Sequence, residues 1–358
     1  MDVRCGNDRP AVRPERPHHR SVSEILWCGR HARAPRNLVF RQALLVALLV
    51  VAAMGSAQTP EGTAARKAFL WRALDSWSLP ISQAVAMQQD PYPSVRAQAA
   101  GVMASNIDPK RLPLLARFMT DGDAYVREQV MLAAGRMGEP GLGMAIHGLG
   151  DAAPLVRQAA VWAATHGGQK AFEPLSNHLK KESSRQVRET LLANLWRFEE
   201  APWHEIVATY AGSDDVYLRR AAAYSLSRTG ADTARAAQRR LATDPEPVIR
   251  AFALRGFERG TLDKDDLTVV QAALADPDWR VQSAACRVLA AQDPVGLEPE
   301  AAKIVARAFT SPHPHLAVSA VAAAASQPSI GDARGLLSIV GGDDPWLAAE
   351  ALVALAKR

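Results

Sequence analysis

Residues 90–100 read DPYPSVRAQAA, and this pattern returns along most of the chain at a nearly constant spacing. Its frame is an acidic residue, four variable positions, a Val-Arg pair and, two residues later, a pair of alanines. The second member of the pair, counted below as position zero, recurs every 30 to 35 residues. It is Arg96, Arg127, Arg157, Arg188, Arg219, Arg250, Gln282, Ala317 and Ala348 in nine successive units over residues 79–358. A fixed period of this length indicates supersecondary units that stack on one another.

Each unit contains two helical stretches separated by Asp and Pro. In unit two the apolar spacing predicts a first helix over residues 111–120 and a second helix over residues 126–137. Asp and Ser suit the N-cap of a second helix, and Pro suits its first turn. Glycines at positions 138, 167, 230 and 260 are placed to end second helices. Because no useful strand pattern appears, the sequence predicts an all-α, right-handed α-solenoid of about nine two-helix repeats.

The repeating unit resembles the HEAT repeat, in the short bacterial form also seen in phycobilisome-lyase-like proteins. The resemblance covers about four fifths of the chain, although larger HEAT units run to roughly 40–47 residues. It implies that acidic residues and arginines form a structural ladder between neighbouring units. The residues that match are Asp90, Arg96, Asp121, Arg127, Asp151, Arg157, Arg188, Arg219, Asp244 and Arg250. The alternative for these arginines is an anion-binding stripe.

The residues before the repeats fall into three segments. Residues 1–37 are a basic extension, either non-native or a disordered cytoplasmic tail. Residues 38–57 contain a 12-residue apolar run at 43–54 behind Arg36 and Arg41, followed by Gly-Ser-Ala. This arrangement predicts a signal peptide, hence a periplasmic or secreted protein, with an inner-membrane anchor over residues 42–57 as the alternative. Residues 58–78 predict an N-terminal capping helix.

Charge argues against a nucleic-acid partner once the first segments are set aside. The chain has 42 Lys and Arg against 37 Asp and Glu, but residues 1–57 hold nine of the former and four of the latter. The remainder is balanced at 33 of each, whereas a nucleic-acid binder needs an excess of basic residues. Cys286 is the only cysteine after residue 57, so the repeats form no internal disulfide.

The sequence also lacks the groups that catalysis requires. The histidines after residue 57 are scattered, and no paired cysteines, zinc-binding H-E-x-x-H or Gly-rich phosphate loop occurs. His313 and His315 lack a third metal ligand nearby. The di-iron hydroxylases with HEAT-like repeats bind their irons through several His-Glu dipeptides, whereas this sequence has one, His204-Glu205. We therefore expect no enzyme activity, no metal and no cofactor. The alternatives are the substrate-recruiting arm of a longer enzyme, such as a peptidyl-prolyl isomerase, and a lyase-like HEAT enzyme.

One face of the second helices predicts a binding site. At about 100° per residue, positions +1, +5 and +8 lie opposite the core, on what should be the concave surface. They carry Leu132, Trp162, Trp196, Arg220, Tyr224, Arg255 and Arg287. Exposed aromatic residues beside arginine are typical of protein-binding hot spots. The hypothesis is a monomeric scaffold that holds a protein or peptide on this face. The alternative is that the aromatic side chains pack sideways on neighbouring helices.

Overall fold

A computed structural model describes residues 85–103, 108–331 and 333–357, together with positions 62, 64, 65 and 68. The predicted extension and signal segment lie outside these residues, as does almost all of the predicted capping helix. All regular structure in the described part is helical. None of its helices combines the length and apolar character needed to cross a bilayer.

The helices alternate as two per unit. The second helices of units one to nine are Pro93–Met103, Ala124–Arg136, Pro154–Thr165, Arg185–Asn194, Val216–Leu226, Pro247–Phe257, Trp279–Ala291, Pro314–Ser326 and Pro345–Ala356. The first helices of units two to nine are Leu112–Leu115, Leu142–Gly148, Phe172–Lys181, Trp203–Ala208, Asp232–Leu241, Lys264–Leu274, Pro299–Arg307 and Ala333–Val340. Short 3-10 turns flank several of them, so the first helix of unit two is shorter than its apolar pattern predicts.

Each second helix packs on the second helices before and after it, which makes one continuous layer from unit one to unit nine. The residue at position +3 is fully or almost fully buried in all nine units. It is Ala99, Val130, Ala160, Leu191, Ala222, Ala253, Ala285, Ala320 and Ala351. Because most of these side chains are single methyl groups, neighbouring helices can approach closely. The predicted α-solenoid of HEAT-like repeats is therefore confirmed.

The large side chain at position −1 supplies much of the apolar core. Val95, Val126 and Val187 are fully buried there, and the corresponding residues are buried to a similar degree through unit eight, whereas Leu347 of unit nine is half-buried. Burying one such side chain stabilises a fold by about 1.5–3 kcal/mol. The repeated motif thus lies at the start of each second helix and also supplies a side chain to the apolar core.

Four second helices begin at aspartate caps, and several end at glycine. The Asp123 carboxylate accepts a hydrogen bond from the backbone N–H of Tyr125, so the second helix of unit two begins two residues before the predicted start. Gly138 and Gly260 close their helices with positive φ angles of 66° and 78°. In unit three it is Gly168, and not the predicted Gly167, that takes this conformation, with φ 87°.

Candidate binding surface on the second helices

Five of the six arginines at position zero link their unit to the next. Arg96 donates from Nη1 to the carbonyl oxygen of Asp90 in its own unit at 2.8 Å. Its Nε and Nη2 donate to the two carboxylate oxygens of Asp121 in the next unit, at 2.6 and 2.9 Å. Asp121 in turn accepts from the backbone N–H of Asp123 at 2.9 Å. The same two-sided arrangement joins Arg127 to Asp151, Arg157 to Glu182, Arg219 to Asp244 and Arg250 to Asp276.

In three of these pairs, Arg96 with Asp121, Arg127 with Asp151 and Arg157 with Glu182, the pKa of both partners is shifted. Hydrogen bonding from Arg127 lowers the pKa of Asp151, and the backbone N–H of Ala153 adds to the effect against the opposing influence of burial. The hydrogen bond to Asp151 likewise raises the pKa of Arg127. Since Nε, Nη1 and Nη2 of each paired arginine already bond to protein oxygen atoms, these guanidinium groups have little capacity left for a ligand.

Arg188 departs from the arrangement of its neighbours. Ser213 stands at the position where the next unit would supply an acidic residue. Within the described residues Arg188 makes no salt bridge, and its guanidinium carbon lies over the ring of Tyr210 at 5.6 Å. The ladder therefore has a missing rung between units four and five, although Arg219 still bonds to the backbone carbonyl of Ser213.

Glu182 is the most deeply buried acid of the ladder, with 1% of its side chain exposed. Its carboxylate pairs with Arg157 and also contacts Nε2 of His178 at 2.7 Å. Burial opposes its ionisation, but the hydrogen bonds from Arg157, from the backbone N–H of Ser184 and from His178 prevail. The pKa of Glu182 falls from 4.5 to about 2.

The aromatic residues of the predicted ridge are all half-buried, and each packs sideways. Trp162 lies across Gly135 of the preceding unit, where an added Cβ would meet its Cζ3 atom at 2.4 Å. Tyr224 meets Phe252 of the following unit edge to face, with ring centroids 5.6 Å apart. Arg228 of the following unit stands over Trp196 at 4.7 Å. Leu132 is also half-buried against the core. The aromatic rings thus help to join neighbouring units, and only part of each faces solvent.

The three arginines of the predicted ridge differ in their partners. Arg220 bonds to Glu189 of the preceding unit at 3.0 Å and lies over the ring of Tyr217. Arg287 bonds to Glu258 at 3.0 Å and is exposed. Arg255 is half-buried and has no hydrogen-bond or salt-bridge partner within the described residues.

An exposed apolar row on the same helices was missed by the sequence analysis. It occupies position −2, in the first turn of the second helix. Its members are Tyr125, Leu155, Tyr217, Val248 and Trp346, with 51%, 42%, 39%, 44% and 69% of their surface exposed. Five exposed large apolar residues at one position of a repeat form an organised surface, in contrast to isolated exposed residues. The recurrence of a large apolar residue just before the Val-Arg pair is the signal that could have revealed it.

A row of basic residues on the same helices was also not predicted from the sequence. Position +9, at or just past the end of the second helix, is basic in five successive units: Arg136, His166, Arg197, Arg228 and Arg259. Positive charge there is favoured by the helix dipole. At about 100° per residue, positions −2, +5 and +9 lie within about 40° of one another. The two rows therefore border one face, about 16 Å apart along the helix axis. We call this face the second-helix surface.

The histidines considered for metal binding have other neighbours. His313 stacks on Trp279 with ring centroids 4.9 Å apart, and His315 lies parallel to the same ring at 6.3 Å. Nδ1 of His204 lies 3.0 Å from the hydroxyl of Thr233. In the described part of the chain no three His, Cys, Asp or Glu side chains are grouped so that they could hold a metal ion.

Comparisons with known proteins agree with the repeat architecture. Residues 84–165 match the family model described as HEAT repeats. The X-ray structure of the YibA protein of E. coli is similar at a TM-score of 0.50 and 15% identity, covering 85% of this chain and 100% of that one. An engineered protein is 17% identical at a TM-score of 0.48, covering 80% of this chain and 90% of its own.

A third similar structure is the complex of CpcE and CpcF of phycocyanin lyase from Nostoc sp. It is 16% identical at a TM-score of 0.34 and covers 67% of this chain and 96% of that one. A search of curated proteins gives no significant match. The predicted resemblance to HEAT repeats is confirmed, and at these identities it concerns the fold alone.

Proposed function

We propose that this protein is a non-catalytic, monomeric scaffold that binds a polypeptide segment along the second-helix surface. The observation that carries the proposal is the exposed apolar row at position −2. A soluble monomer seldom keeps such a surface without a partner, because burying apolar area against another molecule is favourable. By resemblance to HEAT repeats, the second helices line the concave side, where a segment contacts several units at once.

The dimensions of the surface suit an extended peptide. Neighbouring packed helices lie about 8–10 Å apart, so the five steps from unit two to unit seven cover about 45 Å. An extended chain advances about 3.3 Å per residue and spans that distance with about 14 residues. Such a peptide could meet the apolar row at Tyr125, Leu155, Tyr217 and Val248 while it lies across the second helices.

The test is binding to an array of random peptides of about 15 residues. We expect the wild type to bind a subset of them and the double variant Tyr125→Ser, Tyr217→Ser to lose most of that signal. Tyr92→Ser is the matched control, because Tyr92 is exposed to the same 51% but precedes the second helix of unit one. Absence of binding by the wild type, or equal binding by both variants, would contradict the proposal.

We also propose that the protein acts outside the cytoplasm, in the periplasm or as a secreted protein. The support is the apolar run at 43–54 with its basic flank and its small residues at 55–57. N-terminal sequencing of the natural protein tests this directly. A first residue near Gln58 is expected, whereas protein that retains residues 38–57 would instead favour the membrane anchor.

A further inference from the structure

Four arginines gather where the predicted ridge meets the basic row, in units five to seven. They are Arg228, Arg255, Arg259 and Arg287. The carboxylate of Glu258 acts on Arg255, and it already bonds to Arg287. The positive charge of the cluster is therefore only partly balanced, although residues 58–358 as a whole have equal numbers of basic and acidic residues.

Arg228 is held in this cluster by aromatic side chains. Its Nη2 donates to the hydroxyl of Tyr224 at 2.9 Å, and its guanidinium lies over the rings of Trp196 and Tyr224. Its Nε atom is buried and has no hydrogen-bond partner within the described residues. A buried donor without a partner is costly, so this atom adds to the unfavourable energy of the cluster in the free protein.

Arg255 shows the electrostatic consequence of this crowding. Burial is the largest influence that lowers its pKa, followed by the positive charge of Arg228, and Arg287 and Arg259 act in the same direction. Glu258 opposes them only in part. Three like charges beside a half-buried cation are unfavourable unless something of opposite charge binds there.

We propose, on the basis of the peptide-binding function above, that the Arg228, Arg255, Arg259 and Arg287 cluster selects an acidic polypeptide segment, with carboxylates on the cluster and apolar side chains on the row at position −2. One bound segment then contacts both the arginine cluster and the apolar row. A small free anion would leave the apolar row uncovered. A nucleic acid would need a longer continuous basic track than residues 58–358 offer, where basic and acidic residues are equal in number.

The same peptide array provides the test, now sorted by peptide charge. The wild type is expected to prefer peptides rich in Asp and Glu over neutral and basic ones. The double variant Arg255→Gln, Arg259→Gln should bind the acidic peptides about tenfold more weakly at low salt, while it still binds the neutral ones. Neither side chain has a hydrogen-bond partner in the described part of the chain, so the fold should persist, which circular dichroism checks.

The matched control is Arg307→Gln, Arg334→Gln, which removes two exposed arginines from first helices. It should keep the acidic preference. Peptide binding without an acidic preference, or a preference that the Arg255 and Arg259 changes leave intact, overturns this inference and leaves the scaffold function standing. A complete lack of peptide binding overturns both. Inorganic phosphate and a single-stranded DNA oligonucleotide are assayed alongside, and tighter binding of either one than of the acidic peptides also overturns the inference.

Discussion

Arg188 lies over the ring of Tyr210, 5.6 Å from its centroid, because Ser213 occupies the site where its ladder carboxylate would stand. The neighbouring rungs on either side, Arg157 with Glu182 and Arg219 with Asp244, are complete. The junction between units four and five therefore lacks the ladder ion pair of its neighbours, although Arg220 and Glu189 form a salt bridge across it at another position. In a repeat protein, stability is approximately the sum of such unit and interface contributions.

Ser213→Asp should restore the missing rung and stabilise the protein. The new carboxylate would accept hydrogen bonds from the Arg188 guanidinium. It would also accept the hydrogen bond from the backbone N–H of Asp215 that the Ser213 hydroxyl accepts now. We expect a gain of about 1 kcal/mol in the free energy of unfolding, measured by urea denaturation. The gain should vanish when Arg188→Ala is added, and a gain that persists in the double variant would show that the rung is not its cause.

Removing the arginine of a complete ladder pair should lower the free energy of unfolding more than removing Arg188, which has no ladder carboxylate. Arg157→Ala leaves the buried carboxylate of Glu182 without its guanidinium partner, so the free energy of unfolding should fall by roughly 3 kcal/mol. Arg188→Ala removes only a contact with the exposed side of a tyrosine ring and should cost less than about 1 kcal/mol. Equal losses in the two variants would contradict the ladder as the source of the difference.

The ionisation of Glu182 should make part of the stability depend on pH. Its pKa is lowered from 4.5 to about 2 in the folded protein, so the folded state favours the charged form. This contribution is fully present above pH 4.5 and is lost as the pH falls from there towards 2. Glu182→Gln removes it at every pH.

The measurement for Glu182 is therefore a comparison of wild type and Glu182→Gln by urea denaturation across acidic pH. The gap in stability between the two should be wide and constant above about pH 5 and should narrow below it. Because the other ladder residues are the same in both proteins, their contribution to the free energy of unfolding largely cancels in the difference. A gap that stays constant down to pH 3 would show that the Glu182 carboxylate is not held in its charged form.

The sequence was sufficient for the stack, since the signals that build it lie within one unit. Val95, Ala99 and their repeats mark the buried side of each second helix, and the acidic residue and arginine mark the ladder position. The sequence was not sufficient to predict which side chains face solvent on the second-helix surface. Whether Trp162 faces solvent depends on Gly135, which belongs to another helix, and a wheel drawn for one helix cannot show that contact. The rows at positions −2 and +9 were missed because only positions +1, +5 and +8 were considered.

Two glycines on second helices should respond to alanine in opposite directions. At Gly101 an added Cβ has no atom within 4 Å, so Gly101→Ala should stabilise the protein by about 0.5–1 kcal/mol through helix propensity. At Gly135 the Cβ would meet the ring of Trp162 at 2.4 Å and the Cα of Ala163 at 2.8 Å. Gly135→Ala should therefore destabilise by about 1–3 kcal/mol, because neighbouring helices must move apart. Thermal denaturation followed by circular dichroism distinguishes the two, and stabilisation by both would contradict the packing of Trp162 on Gly135.

Substitutions at Trp162 and Tyr217 should separate stability from binding. Trp162 is half-buried and joins two units, so Trp162→Ala should lower the free energy of unfolding by about 3 kcal/mol. Tyr217 is exposed on the apolar row, and Arg185 and Arg220 lie over its ring. Tyr217→Ser should therefore lower the free energy of unfolding by only about 1 kcal/mol while it weakens capture of peptides from the array. Urea denaturation and array binding are measured on both variants. Because Trp162 joins two units that carry the second-helix surface, its loss should reduce binding only under conditions where unfolding is detectable. If Trp162→Ala removed binding while leaving stability intact, the aromatic ridge predicted from the sequence would itself contact the partner, and the apolar row would not be the principal site.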